Sequence, residues 1–197
     1  TRNGDKPRTD WTNIKWHFEE FMTYIKKFSE NGQNAVICVN AGTGTAKEAA
    51  AWVHYANKVK KYNIKQWQIG NELDGEWEES GPLSARQYAA RFIEYARAMK
   101  AVDSSIILHG PLFSTHKMQQ KGAGLNDGKY WMAEFLRIVG EAEKADGKRY
   151  LDVVDLHTYP YWAPNNLNAA DMLKASLDVA HNADTLNAWM NKYLEDL

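Results

Sequence analysis

The chain has 197 residues, 44% of them hydrophobic and 25% charged, with a formal net charge of -1. That length supports one hydrophobic core and one domain, and the near-neutral charge excludes a general field that would recruit nucleic acid or an anionic membrane. The longest apolar runs fall far short of the roughly 20 residues of a membrane span, and the single cysteine, Cys38, excludes an intrachain disulfide and a cysteine-rich zinc site.

Residues 1 to 12 are polar and read as a loop. From Asn13 onward, Phe18, Phe21, Met22, Ile25 and Phe28 fall at three- and four-residue steps and predict a helix, stopped at Glu30-Asn31-Gly32. NAVICVN (34–40) is an apolar, β-branched run of strand length, in which Cys38 reads as a small buried hydrophobe. Thr45-Ala-Lys-Glu48 has the spacing of a capping box and opens a helix through Ala49, Trp52, Val53, Ala56 and Val59. QWQIG (66–70) is the second strand. Ser84-Ala-Arg-Gln87 is a second capping box, followed by helical spacing through Tyr88, Phe92, Tyr95, Ala96 and Met99. SIILHG (105–110) is the third strand, closed by Pro111. A glycine-rich loop at 121–128 precedes a helix through Trp131, Phe135, Ile138, Val139 and Ala142. LDVVDLH (151–157) is the fourth strand, and the tail from Asn168 is predicted helical, in two pieces around 181–184.

Strict alternation of helix and strand predicts an α/β fold of parallel strands joined by right-handed crossovers. A doubly wound sheet and a (β/α) barrel both fit that alternation, and both put chemistry at the carboxyl ends of the strands. The strand runs read as apolar throughout, as for a sheet covered on both faces.

The strand ends carry Asn40-Ala-Gly-Thr-Gly-Thr45, Asn71-Glu72, His109-Gly-Pro111 and His157-Thr-Tyr159-Pro160. Each has a bland explanation. Asn40 serves equally well as a bonder of loop backbone, and His109 as a satisfied core histidine. His157 and Tyr159 lie two residues apart and share one side of a strand, which core packing also explains. Glu72 is harder to account for structurally, since a carboxylate ending an apolar strand is costly unless solvated, paired or functional. The acids that follow, Asp74, Glu76, Glu78 and Glu79, read as a solvated loop. Their spacing does not fit an EF-hand, and neither metal nor cofactor is expected. Trp77 among them is a sugar platform or a rim lid. Gly42-Thr-Gly44 resembles half of a dinucleotide fingerprint, but the third glycine position holds Lys47, and no Gly-Lys-Ser/Thr follows.

An acid beside an amide at a strand end suits glycoside cleavage. The acid protonates the leaving oxygen, a partly apolar pocket raises the pKa of such a group, and the amide binds a sugar hydroxyl. On three segments the chain resembles clan A glycoside hydrolases. IGNELDG (69–75) looks like their fourth strand. VNAGTGTAKEAAAWVHYAN (39–57) is similar to the third-strand segment of bacterial arabinofuranosidases. LDVVDLHTYPYW (151–162) looks like the sixth strand of those enzymes and of the related endoglucanase and xyloglucanase family. The resemblance spans about residues 11 to 162. It implies a partial (β/α)8 TIM barrel, residues 1–197 forming one domain that covers strands three to six. It further implies Glu72 as general acid/base and Asn71 as the sugar-binding amide. His157 and Tyr159 become the pair near nucleophile and substrate, Trp162 a subsite wall, and Asn40 with the loop to Thr45 a lining of the glycone side.

The pattern departs from the family in one respect: the nucleophile, a glutamate on the seventh strand, has no counterpart before Leu197, and Glu195 lies in the terminal helix. Asp155, two residues before His157, substitutes only if it lies roughly 5 to 9 Å from Glu72. The reading is a retaining glycosidase acting on plant cell-wall β-glycans such as cellulose, xyloglucan or xylan. The alternatives are a non-catalytic carbohydrate-binding fragment and a nucleotide-dependent enzyme. The expected partner is an oligo- or polysaccharide, with no nucleic acid and no membrane, and the expected location is extracellular. Open edges and an uncovered apolar inner face predict a homo-oligomer or association with the remainder of a parent barrel.

Overall fold

The computed structural model describes residues 17–28, 35–114, 130–157 and 169–194. Within them helices and strands alternate throughout: α1 (Phe18–Phe28), β1 (Val36–Val39), α2 (Ala46–Val53), β2 (Gln66–Ile69), α3 (Ala85–Val102), β3 (Ile107–Ser114), α4 (Trp131–Asp146), β4 (Val153–His157) and α5 (Ala169–Tyr193). A π-helical segment, His54–Val59, continues α2. The glycine-rich loop at 121–128, Glu195, and the site candidates Tyr159 and Trp162 lie outside the described residues. None of the described helices is long and apolar enough to cross a membrane.

The four strands are parallel and stand in chain order, β1-β2-β3-β4. That order separates the two architectures. Right-handed crossovers that always step the same way place every connecting helix on one face of the sheet, the winding of a barrel wall. A doubly wound sheet reverses direction at a switch point and is covered on both faces. Here α2 packs on α3, α3 on α4 and α4 on α5, one continuous outer layer.

Register explains which residues face that layer. Ile37, Trp67 and Leu108 stand opposite one another, as do Val39 and Ile69. Trp67, Ile69 and Leu108 are 0% exposed, in one core with Val53, Tyr88, Phe92, Met99, Trp131 and Phe135. The expectation of apolar cover on both faces is corrected. Alternate residues on the concave face are Val36, Gln66 and Ile107 at the amino ends of the strands, then Cys38, Gln68, His109, Asp155 and His157 toward the carboxyl ends. The face is polar where the strands end and apolar at Val36 and Ile107, at their amino ends, so the apolar-patch argument for self-association keeps only that part of its premise, beside the edge argument.

Cys38 is corrected with it. The residue lies on the concave side with its thiol partly covered, outside the helix-packed core. Its thiol donates to the Gly70 carbonyl at 3.3 Å, and partial burial, with the Asp155 and Glu78 carboxylates, pushes it up to about 11.

Local chemistry starts α2 and α3 at Thr45 and Ser84, with one half of the predicted box shown at the first and both halves at the second. Thr45 Oγ1 accepts the Glu48 N–H at 3.2 Å. Ser84 and Gln87 form a complete capping box, with side chain to backbone N–H in both directions. Two boundaries differ from expectation. β3 does not stop at Pro111 but runs to Ser114, because the register shifts between Pro111 and Phe113 and the Asp155 side chain takes the Leu112 N–H. α5 is one helix of 25 residues, not two; no glycine or proline interrupts it, and Leu186, Trp189, Met190 and Tyr193 tie its second half to the core.

Candidate active site

The site begins where β2 ends. Ile69 is buried, and its carbonyl accepts the Tyr88 hydroxyl of α3 at 2.6 Å. Gly70 follows at φ +78°, where a Cβ would lie 2.8 Å from Leu73 Cδ1. Only glycine meets both conditions without penalty, and the strand stops there. Glu72 has φ +42°, an uncommon conformation for a residue with a side chain. Its N–H donates to the Leu112 carbonyl at 3.1 Å, which ties the turn to β3.

The Glu72 carboxylate is engaged at both oxygens. His157 Nδ1, from the end of β4, lies 2.7 Å from Oε1. The Trp77 indole N–H donates to Oε2 at 2.7 Å. The Glu72 side chain keeps 13% of its surface open. Asn71 donates from Nδ2 to Glu78 Oε1 at 3.0 Å, so one of the loop acids orients the amide beside the catalytic candidate. The solvated-loop expectation therefore needs two corrections: Glu78 is a partner of Asn71, and Asp74 is buried. Trp77 is half exposed and holds the acid through its N–H.

A second polar layer lies in the same concave face. Asp155 Oδ1 accepts the Leu112 N–H at 2.8 Å, and Oδ2 accepts from Gln68 Nε2 at 3.2 Å. His109 Nδ1 stands 3.5 Å from the same Oδ2, and its Nε2 contacts Gln66 Oε1 at 2.5 Å. Burial raises the Asp155 pKa above the ordinary aspartate value, against the lowering effect of the hydrogen bonds from Leu112 and Gln68. His109 thus joins the concave network and is no core histidine.

The Asn40 side chain bonds its own loop. Its Oδ1 accepts the N–H groups of Gly42 and Thr43 at 3.1 and 3.0 Å, and its Nδ2 donates to Thr43 Oγ1 at 3.0 Å. This geometry also weighs against the dinucleotide reading, since the Gly42 and Thr43 amides are already taken by Asn40 Oδ1. α3 pins the same loop. Arg91 donates to the Ala41 and Gly42 carbonyls at 2.7 and 2.9 Å, and Tyr95 to the Asn40 carbonyl at 3.0 Å. These supports escaped the sequence reading. Tyr88, Arg91 and Tyr95 do stand at helical spacing on one face, but their polar tips carry no local signal of the carbonyls they reach. Among the described residues no group of three or more His, Cys, Asp or Glu is arranged to hold a metal ion.

Residues 46–161 match the family model described as Glycoside hydrolase family 44. The chain belongs to that family. It is also similar to the intracellular exo-α-(1→5)-L-arabinofuranosidase 1 of Bacillus subtilis, with 30% identity over 177 residues, 82% of this chain and 31% of that protein. Among solved structures it is similar to a family 51 α-L-arabinofuranosidase from Bifidobacterium longum, with TM-score 0.68, 23% identity, and coverage of 90% of this chain and 34% of that one. It is similar, too, to a family 44 xyloglucanase from Paenibacillus polymyxa, with TM-score 0.57, 17% identity, and coverage of 73% and 37%. At these identities the structural likenesses show the fold, a stretch of TIM-barrel wall. The family 44 chain spans only about a quarter to a third of the length of the curated relatives it matches.

Proposed function

We propose that this chain carries the acid/base side of a site that hydrolyses glycosidic bonds, with Glu72 as the proton donor. The observation that carries the reading is the Glu72 carboxylate itself, set at the end of β2 between His157 and Trp77. The Trp77 N–H commits Oε2 as an acceptor. Oε1 faces His157 Nδ1, so a proton can be shared between those two atoms, with the side that donates set by the histidine tautomer. Such an arrangement fits a group that gives its proton to a leaving oxygen and recovers it from water. Asn71, oriented by Glu78, is placed as the amide for a sugar hydroxyl. Tyr159 and Trp162 remain proposed substrate contacts, Trp77 a proposed wall beside the acid, and His109 a proposed support of the same groove.

The retaining mechanism needs a second carboxylate, roughly 5 Å from the first. The substrate we favour is a plant cell-wall β-glycan, a reading supported by the family 44 model and by the xyloglucanase likeness. A second reading, an α-L-arabinoside, is favoured by the 30% identity to the Bacillus subtilis arabinofuranosidase. Turnover of aryl β-cellobioside, β-xyloside and α-L-arabinofuranoside separates them. Glu72→Gln is expected to lower kcat on polysaccharide by about 10²- to 10⁴-fold and to spare activated aryl substrates, which need less protonation. Wild-type activity of that variant on polysaccharide would remove Glu72 from the mechanism. If the intact chain bound oligosaccharide but turned over none of the aryl glycosides, the non-catalytic alternative would stand instead.

A further inference from the structure

We propose that Asp155 is a positioning residue for Glu72, acting through the backbone of Leu112. The inference rests on Glu72 being the proton donor and goes on to say what holds it. Leu112 lies at the register shift where β3 passes β4, with φ +50°. Its N–H donates to Asp155 Oδ1 at 2.8 Å, and its carbonyl accepts the Glu72 N–H at 3.1 Å. One residue is thus held at one end by the Asp155 carboxylate and carries the Glu72 backbone at the other.

Both Leu112 and Glu72 are side-chain-bearing residues at positive φ. Such conformations persist only where the surroundings over-determine them, and they gather at functional sites. The surroundings here are specific. Gln68 of β2 and His109 of β3 fix the other oxygen of Asp155. β4 therefore reaches the acid twice: through His157 to its carboxylate, and through Asp155 and Leu112 to its backbone. The distance between Glu72 Oε1 and its proton-sharing partner is set by one strand acting on both ends of the same residue.

A stability role alone explains this poorly. Taking a carboxylate out of water costs free energy, and an apolar residue of similar volume commonly serves a sheet as well. The burial that raises the Asp155 pKa is a sign of that cost. Both Asp155 oxygens are taken up by a backbone N–H and a side-chain amide of the sheet itself.

The test uses two substitutions in the intact chain. Asp155→Ala removes the acceptor for the Leu112 N–H; Asp155→Asn keeps it. The indole N–H signal of Trp77, assigned by its loss in Trp77→Phe, reports the Glu72 carboxylate directly. In Asp155→Ala that signal is expected to shift and to exchange faster with solvent, while the core indoles of Trp67 and Trp131 stay in place. In Asp155→Asn it stays near its wild-type position. A Trp77 signal unmoved in a folded Asp155→Ala overturns the proposal. Should that variant fail to fold, Gln68→Leu is read in the same way, and an unmoved Trp77 signal again overturns it.

Kinetics give a second reading. Asp155→Ala is expected to lower kcat about tenfold or more on substrates with poor leaving groups, and much less on activated aryl glycosides, with KM nearly unchanged and Asp155→Asn restoring most of the loss. Equal loss on both substrate types, unrescued by asparagine, would make Asp155 a reacting carboxylate and overturn the positioning role. If the wild type hydrolyses no glycoside, the proposed function fails, and the Trp77 signal still decides whether Asp155 holds Glu72.

Discussion

Compare the two faces of the described sheet. On the helix-covered face Trp67, Ile69 and Leu108 are shut off from solvent and packed against α3 and α4. On the concave face the alternate residues of the same strands, Gln66, Gln68, His109, Asp155 and His157, are only partly buried and bonded to one another or to Glu72. Strand geometry turns successive side chains to opposite faces. A four-residue strand such as Gln66–Ile69 can therefore put its free energy of burial on one side and its polar chemistry on the other. The difference teaches that the two jobs are separable: substitutions on the convex side should move stability, and those on the concave side should move chemistry.

The sharpest break in that comparison is a core truncation. Phe92 stands between Tyr88 and Phe135 at ring separations of 6.2 and 5.6 Å, and Gly110 of β3 approaches so closely that a Cβ there would meet Phe92 Cε2 at 2.8 Å. Phe92→Ala is expected to cost about 3–5 kcal/mol of unfolding free energy, measured by denaturant titration. A cost below about 1 kcal/mol would mean that the aromatic layer is not what holds the sheet.

His157→Phe tests the opposite face. It removes the partner of Glu72 Oε1 and keeps the ring volume. Loss of a hydrogen bond to a charged group is expected to lower turnover by about tenfold or more, with a much smaller change in the denaturant midpoint. A large loss of stability with unchanged turnover would assign His157 to packing and erase the contrast.

A smaller effect is expected at the helix start that α3 owes to Ser84. Ser84→Ala removes half of the capping box, for about 1 kcal/mol. Because α3 supplies Tyr88, Arg91 and Tyr95 to the ends of β1 and β2, the same variant tests whether fraying there reaches the Asn40 loop, read as faster amide exchange at Gly42 and Thr43.

The smallest expected effect is a slope with pH. The Asp155 pKa is raised in the fold, so the folded state holds this proton more tightly than the unfolded chain does. The group's contribution to stability is then full below the ordinary aspartate pKa and is lost as pH rises through the raised value. Asp155→Asn should flatten that part of the decline from about pH 4 upward. The groups facing Asp155, His109 of β3 and the Cys38 thiol of β1, are unchanged in this comparison. A slope identical in both proteins would show that Asp155 is not the titrating group.

Much of the site was legible because its signals are local. Asn71-Glu72 directly after an apolar run marks an acid that the core alone does not explain, and Thr45 and Ser84 announce their helices within one turn. The misreadings share a cause. Pro111 reads as a strand end, yet a side chain from β4, 43 residues away, takes the neighbouring N–H and lets the strand run on. The polar stretch around 181–184 reads as a break, yet Leu186, Trp189 and Met190 beyond it pack on the core and carry the helix through. Cys38 reads as buried because its neighbours are apolar, while its register with Gln68 sets it on the concave face. In each case a distant contact overrode the local preference.

The sequence by itself determined the alternation of helix and strand, the caps and the placing of Glu72 at a strand end, since these depend on residues within a turn or two of one another. Only the tertiary structure decided the order of the strands, which face is polar, and the partners of Glu72. His157 is 85 residues from the acid it contacts, and Asp155 meets the Leu112 backbone only because β3 and β4 pair with a register shift. Pairing register and the face a side chain takes depend on how whole strands align, and a one-residue slip reverses them; no short stretch of sequence carries that information.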